Sequence, residues 1–316
     1  MPDLILYHYA MSPFSEKIRA MLGYAGLEWY SVTTREMPPR PQLERLTGGY
    51  RKIPVAQRGA DVFCDTRTIA TEIARLSGKP ELALENCDPE IQAYVQNVDL
   101  EVFLCCLMTS GSWALSRKVL ASMSLLDVGR LLWDRIKVGR QSSVKARGLR
   151  NPKARVREHL LATEERLRDQ PFLFGESPCH ADFATYHSLW FMREYAESPQ
   201  LDGFDHLLAW MDRIRDFGHG GRQELTAEQA LAFASEAEPE AVPHDWRRGR
   251  LIGREVSIAP SDYAQEPTYG VLVAEGPDQW ILERNQDDLG RLHVHLPSHG
   301  YTLAPVWPEP GTESAG

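Results

Sequence analysis

Cysteine pairs, long apolar runs and an excess of positive charge are all missing from this chain. Its five cysteines, Cys64, Cys87, Cys105, Cys106 and Cys179, are an odd number without a C-x-x-C pair. Neither a disulfide framework nor a cysteine-based zinc site is indicated, and free thiols in a reducing compartment are expected. No apolar run approaches the roughly 20 residues that cross a bilayer, and the Met-Pro-Asp start lacks a charged, then apolar leader. A cytoplasmic protein with no membrane partner is therefore expected. Lys and Arg number 35 against 44 Asp and Glu, a net charge of −9, which argues against nucleic acid as partner because phosphate binding relies on clustered cations. The one basic stretch, Arg130 to Arg157, alternates with apolar residues and reads as the solvated side of helices. What remains is 316 residues, 43% of them hydrophobic, enough for two or three packed domains.

The most informative stretch is residues 4–24. Leu4, Leu6 and the neighbouring tyrosines form a short buried strand, after which Phe14, Ile18, Met21 and Leu22 recur at helical spacing. Pro13 suits the first helical position, so Ser12 is the expected N-cap, while Glu16, Lys17 and Arg19 are expected in water. A hydroxyl at a helix N-terminus either caps the helix or stabilises an anion such as a thiolate. Downstream, Leu27 to Thr33 reads as a strand, Met37 to Gly49 as a loop with a short helix at Gln42 to Leu46, and Pro54 interrupts the strand that follows. Gly59-Ala60-Asp61 turns into Val62 to Cys64, and Asp65-Thr66 opens a helix carrying Ile69, Ile73, Ala74 and Leu76.

This βαβ, loop, ββα order, with Ser-Pro-Phe-Ser after the first strand, resembles the thioredoxin-like domain of the glutathione transferases. Ser12 stands where glutaredoxin-like members carry a nucleophilic Cys. Ile53-Pro54 matches the family's cis X-Pro, whose backbone pairs with the cysteinyl part of glutathione, and Asp65-Thr66 matches the pair that receives the γ-glutamyl end. The chemistry agrees: Asp65 offers a carboxylate to an ammonium group, and Thr66 with the helix N-terminus offers donors to a carboxylate. The resemblance implies glutathione as co-substrate, a small apolar electrophile and a homodimer, and no metal is expected, since no acidic or Cys ligand stands at a convincing spacing from His293, His295 and His299. Ser12 is the favoured catalytic hydroxyl, with Tyr9 as its rival and Ser15 a weaker one.

The expected fold is multidomain α and β: a thioredoxin-like βαβ-ββα domain at 1–78, an all-α domain with an apolar substrate site at 85–235, and a small all-β module at 246–308. Helices are expected at Pro89 to Leu115, Leu125 to Val144, Lys153 to Arg168, Ala181 to Tyr195, Phe204 to Phe217 and Ala227 to Ala234. In the family a Ser or Thr three residues before an Asp caps a buried helix; here Cys179 holds that place before Asp182 and caps poorly. Cys105 and Cys106, inside an apolar helix, read as buried fillers. Residues 235–245 read as an acidic linker. Beyond them alternation replaces helical spacing, giving a sheet too small for an independent core, expected to dock on the helical domain. His293 and His295 read as a solvated strand face, with His299 nearby. The competing function is a non-catalytic glutathione-binding or protein-interaction module of the same fold.

Overall fold

A computed structural model describes residues 4–122, 150–262 and 264–306. It opens with β1 (Ile5–His8), α1 (Pro13–Ala25), β2 (Glu28–Thr33), α2 (Pro41–Thr47), β3 (Val55–Arg58), β4 (Asp61–Cys64) and α3 (Thr66–Ser77), the order expected. β1 pairs with β2 in parallel and with β3 antiparallel, and β3 pairs with β4 antiparallel. Alternate side chains enter two different cores, as the period of a strand dictates. Leu4, Leu6, Ala56 and Phe63 pack with Ile18, Met21 and the helical domain, whereas Ile5, Tyr7, Val55 and Val62 pack with Leu43 and Leu46.

Glu16, Lys17 and Arg19 are not in water; all three are buried. The apolar pattern marked only the face of α1 that meets the sheet, and its other side is covered by the second domain. That domain comprises α4 (Pro89–Asn97), a π-helical turn at Val98–Val102, α5 (Phe103–Thr109), α6 (Trp113–Ser122), α7 (Pro152–Arg166), α8 (His180–Trp190) and α9 (Asp205–Asp216). The single helix expected from Pro89 to Leu115 is broken by a 94° bend. Ser-Gly-Ser causes it: Ser110 Oγ donates back to the Cys106 carbonyl at 2.6 Å, and Ser112 Oγ accepts the Leu115 N–H at 3.0 Å, ending one helix and capping the next. The helix expected at Leu125 to Val144 lies outside the described residues, as does most of the basic stretch.

Two further elements return to the first domain. β5 (Gly221–Glu224) pairs with β2 in parallel, and α10 (Ala227–Ser235), capped by Thr226, adds Ala230, Leu231 and Ala234 to the core of Ile5 and Tyr7. The C-terminal module is β6 (Glu255–Pro260), β7 (Thr268–Glu275), β8 (Gln279–Gln286), β9 (Gly290–Pro297) and β10 (Tyr301–Pro305).

Among the described residues the module joins the sheet of the first domain, and of the expected helical segment it meets α10, which itself lies on that sheet. β9 pairs in parallel with β4, so one ten-stranded sheet runs β10-β6-β7-β8-β9-β4-β3-β1-β2-β5. β4 would otherwise be an edge with unpaired backbone groups, and Leu292, Val294 and Leu296 extend the core already lined by Val62. Arg284 of β8 adds hydrogen bonds to the Arg45 and Leu46 carbonyls at the end of α2, at 2.8 and 3.2 Å. Gly48 permits this approach, since it holds φ +75° and a Cβ there would strike the Arg284 guanidinium.

The histidine expectation is corrected by the same pairing. His293 and His295 are buried on the face opposite Leu292, where His295 Nε2 donates to Asp61 Oδ1 at 2.9 Å and its ring stacks on Phe63. Among the described residues no group of three or more His, Cys, Asp or Glu is arranged to hold a metal ion.

Candidate active site

Three of the segments singled out from the sequence leave one row of the sheet. Tyr7 on β1 is the register partner of Val55 on β3, which is in turn the partner of Cys64 on β4. Ser12 lies beyond the first of these residues, Ile53-Pro54 precedes the second, and Asp65-Thr66 follows the third. With neighbouring strands about 4.8 Å apart, the three segments emerge side by side across roughly 10 Å. The Ile53–Pro54 bond is cis, as expected.

Ser12 is the N-cap of α1. Its Oγ accepts the Ser15 N–H at 3.1 Å, which leaves its own proton free to point outward as a donor. Ser15 is fully buried, and its Oγ has no partner among the described residues. Tyr9 is half-buried, and its carbonyl accepts the Ser12 N–H at 3.2 Å.

Arg19, a residue expected in water from the sequence, braces this loop. Its guanidinium donates to the Tyr9 and Ala10 carbonyls at 3.3 and 3.0 Å, to His8 Nδ1 at 3.0 Å, and pairs with Glu16. With Nδ1 accepting, His8 donates through Nε2 to Ser31 Oγ at 2.9 Å. Burial, aided by the Arg19 charge, pushes the His8 pKa down to about 3.

Asp65 caps α3 with Oδ1, which accepts the Arg67 N–H at 3.0 Å. Its backbone sits at φ +84°, a region that costs a non-glycine residue about 1–3 kcal/mol and that concentrates at functional positions. Thr66 follows at the first helical position, beside the unpaired N–H groups of that end. Oδ2 of Asp65 is taken by a residue the sequence did not suggest: Tyr301 of β10 donates to it at 2.8 Å. The same module reaches the cations before Ile53, pairing Glu266 with Arg51 at 2.8 Å and Asp262 with Lys52 at 2.9 Å. Arg51, Tyr50 and Glu266 line a pocket of about 170 Å³ against α2.

On the side of the helical domain, Phe14 sits against Phe103 and against His187 of α8, with ring centroids 4.8 and 4.6 Å apart. His187 donates through Nε2 to Asp99 Oδ1 at 3.1 Å, and Lys17 reaches Asp99 Oδ2 at 2.8 Å. Burial alone would raise the Asp99 carboxyl, but the Lys17 ammonium and the His187 hydrogen bond hold it below the usual range. Asp99 lies on the π-helical turn, a feature frequent at functional positions. Cys105 and Cys106 are buried, and desolvation raises both thiols, Cys106 to about 12, which leaves them fillers rather than nucleophiles.

Residues 6–81 match the family model of the glutathione S-transferase N-terminal domain, and residues 138–216 that of its C-terminal domain. A GST-like protein from Pseudomonas syringae superposes with a TM-score of 0.73 at 30% identity, over 95% of this chain and 98% of that one. The chain belongs to the glutathione S-transferase superfamily. Lower likenesses include a glutathione transferase family member from Pseudomonas fluorescens with two glutathione bound (TM-score 0.45, 16% identity, 67% of this chain and 87% of that one) and FzlA from C. crescentus (0.47, 21%, 76% and 95%). No curated protein matches the chain.

Within this glutathione S-transferase superfamily the β-module is not peculiar to one chain, because coverage of 95% leaves too few residues unmatched to omit it. The departure at Cys179 is also accommodated. Asp182 Oδ2 accepts the Cys179 N–H at 2.9 Å, while Oδ1 accepts the Leu173 N–H and the Trp210 indole N–H, each at 2.9 Å. Asp182 thus ties three segments of the helical domain together whatever the Cys179 side chain contributes.

Proposed function

We propose that the protein is a glutathione transferase-like enzyme that binds glutathione and presents its thiolate to an apolar electrophile. The observation that supports this reading is the row Tyr7–Val55–Cys64, which brings an N-capping hydroxyl, a cis-proline segment and an acidic helix cap to one end of the sheet. Asp65 would take the α-ammonium, Thr66 and the start of α3 the α-carboxylate, and the Ile53 backbone the cysteinyl unit. Pro54 fixes that segment. The sulfur then lies over α1, where the Ser12 proton and the helix dipole favour the thiolate over the thiol. The thiolate sulfur donates its electron pair to the electrophilic carbon, forming the carbon–sulfur bond as the leaving group departs with its bonding pair, and the electrophile enters beside Phe14 and Phe103. The reading includes a cytoplasmic location and a homodimer, the latter carried by the family resemblance and checked by sedimentation equilibrium.

The test is glutathione titration by calorimetry together with the ultraviolet absorbance of the bound thiolate. Ser12→Ala should keep binding nearly intact, raise the pKa of the bound thiol and slow conjugation by about tenfold to a thousandfold, the usual effect of losing one donor to an anion. If Tyr9→Phe abolishes the absorbance while Ser12→Ala keeps it, the role passes to Tyr9. A wild-type protein that binds no glutathione overturns the reading, and one that binds it without forming thiolate is a binding module.

A further inference from the structure

Asp65 is held by two elements far apart in sequence, its own helix and the last strand of the C-terminal module. Its two oxygens are oriented separately, Oδ1 by the Arg67 N–H at 3.0 Å and Oδ2 by the Tyr301 hydroxyl at 2.8 Å. Tyr301 has one proton. Since it faces the carboxylate, the Tyr50 hydroxyl, 3.1 Å away, donates to the Tyr301 oxygen, giving a relay Tyr50 to Tyr301 to Asp65. Burial, reinforced by the Asp65 charge, raises the Tyr301 phenol well above its ordinary value, so it donates at any physiological pH.

We infer that Tyr301 is a positioning residue for ligand binding, fixing the Asp65 carboxylate to receive the α-ammonium of a γ-glutamyl thiol. The inference rests on the reading of Asp65 proposed above. A phenol suits the task better than a cation. It orients Oδ2 while leaving the full negative charge and a further lone pair for the incoming ammonium, whereas a lysine or arginine there would neutralise it. The module is anchored around this contact. Tyr301 is paired in the sheet with Pro260, Asp262 and Glu266 grip Lys52 and Arg51, and the Lys52 ammonium lies 5.6 Å from the Tyr301 ring centroid. The appended sheet therefore does more than extend the structure: through Tyr301 it orients a group of the ligand site.

The test compares glutathione with its deamino analogue, in which glutaryl replaces γ-glutamyl, by calorimetry on the full-length protein. Tyr301→Phe should weaken glutathione binding about tenfold, the scale of one hydrogen bond to a charged group, and leave the analogue's affinity unchanged. Equal losses for both ligands, or none, make Tyr301 a latch for the module and overturn the inference; tighter glutathione binding overturns it as well, by making Tyr301 a competitor for Asp65. If Tyr301→Phe does not fold, Tyr50→Phe replaces it and should show the same amino-dependent loss at about threefold; no such loss overturns the inference. A wild-type protein that binds the deamino analogue as tightly as glutathione removes Asp65 from ammonium recognition, and one that binds neither ends the functional reading itself.

Discussion

Lys17 Nζ stands 2.8 Å from Asp99 Oδ2, so a fully buried ammonium on the first helix is matched by a carboxylate on the helical domain. The two partners are not equivalent, because 26% of the Asp99 side chain is exposed and none of Lys17. Asp99→Asn strands a buried charge and should cost about 3 kcal/mol, whereas Lys17→Met leaves a carboxylate that water reaches and should cost about 1–2 kcal/mol. Urea unfolding of both variants checks this; equal costs would contradict it.

Stability should fall early on acidification. Burial lowers the pKa of His8 to about 3, His159 to about 4 and His180 to about 3, and lowers that of His187. A histidine whose folded pKa lies below its unfolded value binds more protons when unfolded, so stability is full above about pH 6.5 and declines below it at on the order of 1 kcal/mol per pH unit per histidine. His187 shows why: its Nε2 proton goes to Asp99, and its buried Nδ1 has no partner to receive a second one among the described residues. Urea midpoints should hold level from pH 7.5 to about 6.5 and then drop down to pH 4.5, and His159→Phe should flatten the slope. A flat profile would show these rings protonated or solvated.

Stopping the chain at Asp245 should yield protein that aggregates. The truncation uncovers the backbone edge of β4 and removes Leu292, Val294 and Leu296 from the core they share with Ile5 and Val62. Light scattering and the yield of soluble protein report the outcome. A monodisperse fragment with the full-length unfolding midpoint would mean that the shared core contributes nothing.

What the sequence disclosed was local. The turn from β1 to α1, the Ser12 cap, the proline before Val55 and the Asp65 cap each depend on neighbours within a few residues, and each is found where expected. What it hid depends on distant coverage. Arg19 and Lys17 carry charges on what reads as a wet face until a second domain closes over it. β5, Gly-Arg-Gln-Glu, is exposed at every position and held to β2 by its backbone, so it has no alternation to detect. Asp182 reads as a helix cap, yet its second oxygen binds Leu173 and Trp210. Tyr301 looks like any strand tyrosine, because its meaning comes from a carboxylate 236 positions away.

The pairing of β4 with β9 also imposes an order on the birth of the molecule. Asp61 and its partner His295 are separated by 234 residues. At ribosomal speeds of about 5–20 residues per second, the first strands wait ~10–50 s before the last ones exist to complete them. The half of the protein that is made first is finished last. During that interval nascent β4 is an invitation to any other strand, so the chain is expected to lean on chaperones more than its modest length would suggest.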